Sequence, residues 1–239
     1  MKRIAALAMI LVVTGCSTVE SKDIRTSGMT ANLIVTLPEN ADEADLSASL
    51  RVGTLTFVEL GGGEEITGAG GGQTTKLDHH RAAGVTEYRN RLDGVTKAGT
   101  VITFNLKRDG DNASAPTSTV VLPERVRLAA PAAGTTYSRR TAIAVRFDSE
   151  PSQLPSILTW AGECIQPGSL QLEPGRTSAT IARGSIKPSI TSATPKAQSS
   201  TCQIDLTVTR RVEGTLDKAF KDGSIAAETQ SVRRVGSAP

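Results

Sequence analysis

The sequence predicts an all-β protein built as two tandem immunoglobulin-like antiparallel β-sandwich domains. Ser and Thr supply 50 of the 239 residues, Gly and Pro 33, and the aromatics only seven. That is a composition of short strands and frequent turns rather than long helices. Apolar residues also recur at every second position in segment after segment, the period of a half-buried strand. Leu, Ile, Val and Phe total 54 of 239, above the roughly 20% below which a chain rarely buries enough apolar surface to fold. The length suits one large β-domain or two smaller ones.

From Thr30 onward the alternation is continuous. Leu33, Val35 and Leu37 share one face, then Leu46, Ala48, Leu50 and Val52 share another, with Ser47, Ser49 and Arg51 opposite. Further strands are expected at 55–60, 73–77, 85–92, 100–106 and 118–122, separated by turn residues. Thr100, Ile102, Phe104 and Leu106 alternate with Val101, Thr103 and Asn105. About seven strands in this stretch fit a sandwich in which two sheets bury their facing sides.

Leu122-Pro123-Glu124 is the expected boundary, because proline cannot donate to a ladder. Beyond it Val126, Leu128 and Ala130 begin a new pattern, and Ile143, Val145 and Phe147 alternate with Ala142, Ala144 and Arg146. Cys202, Ile204, Leu206 and Val208 oppose Gln203, Asp205, Thr207 and Thr209, and more strands are expected at 157–160, 170–172, 179–182 and 225–235. The expected division is residues 28–122 and 124–239. Antibody-type kinship is not implied, since Trp160 precedes Cys164 by four residues and no Tyr lies two before Cys202.

The start of the chain has another logic. Lys2 and Arg3 precede an apolar run from Ile4 to Val13, a signal-peptide core much shorter than the roughly 20 residues of a membrane span. It ends in Leu11-Val12-Val13-Thr14-Gly15-Cys16, which resembles the lipobox of bacterial lipoproteins. Small Thr14 and Gly15 let an extended backbone enter a peptidase cleft, while the Cys16 thiol accepts a diacylglyceryl group. The resemblance implies a signal peptide over 1–15, cleavage before Cys16, and permanent attachment through two or more acyl chains. Ser17 rather than Asp after the cysteine favours sorting to the outer membrane. Residues 16–27, polar and mixed in charge, read as a lipidated tether, about 35 Å long if Ser17–Ser27 is extended.

Removing Lys2 and Arg3 leaves 25 basic residues against 24 acidic. A nearly neutral body is not a nucleic-acid protein, which needs a basic footprint. The doublets Arg139-Arg140, Arg210-Arg211 and Arg233-Arg234 place neighbours on opposite strand faces and read as solvated surface. With Cys16 committed to lipid, Cys164 and Cys202 form the one remaining intramolecular pair, a structural disulfide in an oxidising compartment. Closing this loop of about 38 residues stabilises the fold by roughly 4 kcal/mol in the chain-entropy treatment.

Ser21 to Met29 (Ser-Lys-Asp-Ile-Arg-Thr-Ser-Gly-Met), Val120-Val121-Leu122-Pro123, Ala130-Pro131, Tyr137-Ser138-Arg139 and Gly162-Glu163-Cys164 together resemble a family of uncharacterised bacterial lipoproteins. The resemblance covers most of the mature chain and implies export, anchoring and β content. It brings no established activity, ligand or catalytic residue. Gly61-Gly62-Gly63-Glu64-Glu65 departs from it, with Glu where an aspartate is expected after the glycines.

Other local patterns point to no chemistry. The segment from Gly68 to Lys76 is glycine-rich but lacks the Gly-Lys-Ser/Thr of a phosphate loop and reads as a flexible hairpin loop. Asp109, Asp111 and Asn112 resemble a calcium loop without its Gly or downstream Glu. Asp78, His79 and His80 offer imidazoles that diverge on a strand, too few for zinc. No cofactor or metal is expected and no catalytic residue is assigned. An enzyme would need Glu64, Glu65 or Asp78 to converge. The leading expectation is a lipid-anchored envelope lipoprotein, structural or protein-interacting, held to the membrane by its lipid and meeting an envelope protein partner. The alternative is a carbohydrate or envelope-polymer module, for which Trp160, Tyr88 and Tyr137 are the available platforms; an envelope hydrolase ranks below it.

Overall fold

The structure, a computed structural model, describes residues 17–82, 84–110, 112–147, 152–189 and 201–239. The expected signal peptide and Cys16 lie outside the described residues. Among the described residues the strands follow in order: β1 (Ser17–Glu20), β2 (Thr30–Pro38), β3 (Glu43–Val52), β4 (Thr56–Glu59), β5 (Glu65–Gly70), β6 (Gln73–Lys76), β7 (Asp78–Ala82), β8 (Val85–Asp93), β9 (Val101–Lys107), β10 (Ala115–Val121), β11 (Leu128–Ala130), β12 (Thr136–Ser138), β13 (Ile143–Phe147), β14 (Ser156–Gly162), β15 (Gly168–Leu172), β16 (Ser178–Ile181), β17 (Cys202–Glu213) and β18 (Asp222–Ala238). Short 3₁₀ turns at Ser21–Asp23 and Thr26–Gly28 bridge β1 to β2.

The protein is all-β, with two sandwich layers around each of two cores. One sheet runs β1-β4-β3-β2-β18-β17-β14-β15, with β8 and β7 continuing from β3 and β12 pairing β18. Its first half faces the sheet β10-β9-β5-β6, and its second half faces β11-β13-β16. Most ladders are antiparallel, but β1 with β4, β2 with β18 and β12 with β18 are parallel.

The alternations read from the sequence produce these layers. Leu33, Val35 and Leu37 on β2, Leu46, Ala48 and Leu50 on β3, and Ile102, Phe104 and Leu106 on β9 fill the first core. Val145 on β13, Leu158 and Trp160 on β14, and Ile204, Leu206 and Val208 on β17 fill the second. At about 25 cal/mol per Å² of buried apolar surface, these rows are the main force holding the layers together.

Residues 122–127 lie outside the strands, and the first core takes Phe220, Ile225 and Ala227 from far along the chain. β18 is 17 residues long and crosses from one core to the other, since Ile225 and Ala227 lie in the first and Val235 in the second. Its first half pairs with β2 over Asp222 to Gln230 and its other edge with β17 over Ala226 to Ser237. The long alternation from Ile225 to Val235 cannot be confined to one domain because its two ends bury against different sheets.

The glycine-rich segment is a tight hairpin rather than a loose loop. β5 and β6 pair from Thr67–Lys76 to Gly70–Gln73, and Gly71 and Gly72 form the two-residue turn at φ +58° and +81°, the positive-φ pair that a type I′ hairpin turn requires. Gly223 is more constrained still. It pairs with Ala31 at φ +131°, and a Cβ there would meet the Ala31 carbonyl oxygen at 1.9 Å. Gly223→Ala is expected to destabilise the protein by about 3 kcal/mol, combining backbone strain and overpacking. Gly61→Ala, whose Cβ would meet nothing within 4 Å, is expected to stay within about 0.5 kcal/mol; urea unfolding of both variants checks the difference.

Candidate functional site

The expected tether is ordered. Ser17 to Glu20 pair in register with Thr56 to Glu59, and the chain then turns over the edge of the first sandwich to enter β2. What holds it is Arg108, the next inward position after Ile102, Phe104 and Leu106 on the row of β9. Its side chain is fully buried, and Nε donates to Glu64 Oε1 at 2.6 Å. Nη1 donates to Thr26 Oγ1 at 3.0 Å, and Nη2 to the carbonyls of Ser21 at 2.8 Å and Ile24 at 3.0 Å. The Ser21 hydroxyl donates to the second Glu64 oxygen and accepts from the Gly61 amide at 3.2 Å. Thr26 Oγ1 donates to the Ala113 carbonyl. One guanidinium thus binds two carbonyls and a hydroxyl of the 21–26 segment while its charge is matched by a single carboxylate, the arrangement a buried cation needs.

A second buried arginine, with two hydroxyls of β18, fixes the linker. Arg210, continuing the inward row of Ile204, Leu206 and Val208, donates to the Glu124 carbonyl at 3.1 Å. Burial lowers its pKa, offset in part by the Glu124 charge. Thr229 on β18 donates to the same carbonyl at 2.9 Å, and Ser231 accepts from the Leu128 amide at 2.9 Å while donating to Glu39. Arg125 reaches back to the carbonyls of Glu39 at 2.7 Å and Ala41 at 2.6 Å. The basic doublets are therefore not uniformly solvated. Arg139 and Arg210 are 6% and 3% exposed; alternation turns Arg210 inward on β17, while Arg139 is buried in the turn that follows β12.

Cys164 and Cys202 are joined, with Cα atoms 6.0 Å apart. The bridge fastens the loop after β14 to the start of β17, and Arg139 Nη2 lies 3.0 Å from Cys164 Sγ. Burial lowers the pKa of Arg139.

The other sequence candidates do not converge. Glu64 is committed to Arg108 and Ser21, Glu65 lies 3.2 Å from Lys76, and Asp78 accepts from Asn90 at 3.4 Å. His79 and His80 lie on β7, which is exposed throughout; His79 Nε2 is 3.9 Å from Glu59 Oε1. Asp109 accepts from the Gly63 amide at 2.7 Å and borders, with Glu20, Lys22, Gly62 and Asn112, a cleft of about 480 Å³. Asp111 lies outside the described residues. Among the described residues, no three His, Cys, Asp or Glu groups are placed to hold a metal ion.

The aromatic platforms are turned inward as well. Trp160 and Tyr88 are 6% and 4% exposed, and Tyr137 packs against the second core. The Tyr88 hydroxyl accepts from the Leu60 amide at 2.7 Å, and burial pushes its pKa up to about 12.

No family model matches the chain, and no curated protein matches it. Among solved structures it is similar to the fibronectin(III)-like modules of Clostridium thermocellum CbhA, at 11% identity over 87% of this chain and 94% of that one, with a TM-score of 0.24. It is also similar to DIP-gamma IG1+IG2, at 9% identity over 87% and 94%, TM-score 0.24. A third similarity is to the native conformation of E. coli alpha-2-macroglobulin, at 14% identity over 85% of this chain and 14% of that one, TM-score 0.23.

Arg108→Met leaves Glu64 buried without its cation and frees the carbonyls of Ser21 and Ile24. It is expected to cost about 3–5 kcal/mol and to open the N-terminal segment to proteolysis between Ser17 and Met29. Limited proteolysis with N-terminal sequencing checks this against Arg89→Met, an exposed arginine on β8, which is expected to leave the cleavage pattern unchanged.

Proposed function

We propose that the mature protein is a lipid-anchored lipoprotein of the bacterial cell envelope, sorted to the outer membrane, whose two sandwiches serve as a structural and protein-interaction module without catalytic activity. The observation that carries this reading is the ending Leu11-Val12-Val13-Thr14-Gly15-Cys16 behind a short apolar core. The disulfide between the other two cysteines supports it, because such bridges persist in exported proteins and are rare in reducing compartments. A nearly neutral mature body supports an interaction role away from nucleic acid.

Two features support a structural module over an enzyme or polymer-binding module. The carboxylates that hydrolysis would need are paired separately, and the aromatic platforms that sugar stacking would need are buried or half-buried. The partner surface is then a sheet face. Ile157 on β14 and Val232 on β18, 39% and 52% exposed, lie on the outward side of the second sandwich, beside the outward Thr207 and Thr209.

Cys16→Ser is expected to abolish incorporation of labelled palmitate and to shift the protein from the membrane to the soluble fraction. Lipid labelling that survives the substitution would overturn the reading.

A further inference from the structure

The end of the first sandwich that carries the β3–β4 turn is where the chain emerges toward Cys16. β1 runs parallel to β4 with Ser17 opposite Thr56, so both strands begin at this end, and Leu55 immediately precedes the residue that pairs with Ser17. Leu55 is 55% exposed, the most exposed large apolar side chain among the described residues. Gly53 and Thr54 beside it are exposed as well. On β4 the side chains alternate, Val58 entering the core and Phe57 facing out half-buried. Arg51 lies directly opposite Phe57 on β3, so both project from the same face.

No slack separates this end from the acylation site. Cys16 and Ser17 are joined by one peptide bond, about 3.8 Å between Cα atoms, and from Ser17 the chain is laddered to β4 and then clasped by Arg108. Ser17–Ser27, read as a spacer of about 35 Å if extended, holds the body close instead.

We infer that this end of the sandwich is a bilayer-docking face. Leu55 enters the interfacial layer of the membrane that holds the Cys16 acyl chains, with Phe57 at headgroup level and Arg51 toward the phosphates. An apolar tip backed by an aromatic ring and an arginine suits an interface that is apolar below and anionic above. The inference rests on the lipoprotein reading of Cys16 and deepens it, giving the anchored body a fixed height and orientation rather than a loose leash.

The test uses the full-length lipidated chain in vesicles of phosphatidylethanolamine and phosphatidylglycerol. An environment-sensitive fluorophore is placed at Leu55→Cys or, for reference, at Asn40→Cys. Asn40 is exposed in the turn between β2 and β3, at the opposite end of nine-residue β2 and about 30 Å away. The label at position 55 is expected to emit at shorter wavelength and to be quenched several-fold more by brominated lipid than the label at position 40. Equal emission and quenching at the two positions, on protein that carries palmitate, would overturn the docking face while leaving the lipoprotein reading intact. Absence of palmitate would sink that reading itself. In the soluble Cys16→Ser background, a concentration-dependent shift at position 55 would make this end a contact between two copies of the chain and would equally overturn the inference.

Discussion

Everything in this fold depends on one strand being shared. β18 spans 17 residues, about 55 Å at 3.3 Å per residue, and its inward row runs from Ile225 and Ala227 in the first core to Val235 in the second. Both of its edges are occupied, by β2 and then β12 on one side and by β17 on the other. Without it, β2 would present an open ladder of amides and carbonyls, the edge that folded proteins ordinarily cover. β18 thus contributes Ile225 and Ala227 to a core whose other rows lie on β2, β3 and β9. Contacts of such long sequence separation slow folding, because the loop must close before they form.

Where β18 passes from one core to the other, its inward row changes from apolar to hydroxyl. Thr229 and Ser231 bind the linker at Glu124 and Leu128, Arg210 binds it at Glu124, and the linker's own Arg125 reaches out to the carbonyls of Glu39 and Ala41. A hinge would need this stretch to exchange partners with water at little cost. Instead the Glu124 carbonyl accepts from buried Arg210 and Thr229, and losing such a donor leaves an unsatisfied group worth about 1–3 kcal/mol. The same device recurs at the N-terminus, where Arg108 gathers carbonyls of the 21–26 segment. Arginine suits both places because its planar fork donates several hydrogen bonds from one charge.

The layers were legible in the sequence because period two is a direct consequence of strand geometry. Leu33-Val35-Leu37, Ile102-Phe104-Leu106 and Ile204-Leu206-Val208 each became one inward row. The disulfide was legible by elimination once Cys16 was set aside. Other features were not. The segment 17–27 shows no apolar period, so its order comes from Arg108, far along the chain, and no local pattern announces it. Yet both Arg108 and Arg210 occupy the next even position on an inward apolar row, and extending the alternation by one step would have turned them inward. Glycines on β5 disguised a strand as a loop: at Gly68 a Cβ would meet Leu46 Cδ1 at 2.2 Å, so the absence of side chains there reflects close layer packing rather than flexibility.

The central claim, that both cores and their linker form one cooperative body through β18, is tested most directly by native-state hydrogen exchange along that strand. Amides of Ile225 to Ala227 and of Val232 to Val235 are expected to share one opening free energy, equal to that of global unfolding. Exchange of the second group at a distinctly lower free energy, while the first stays protected, would show two independently opening domains and contradict the account.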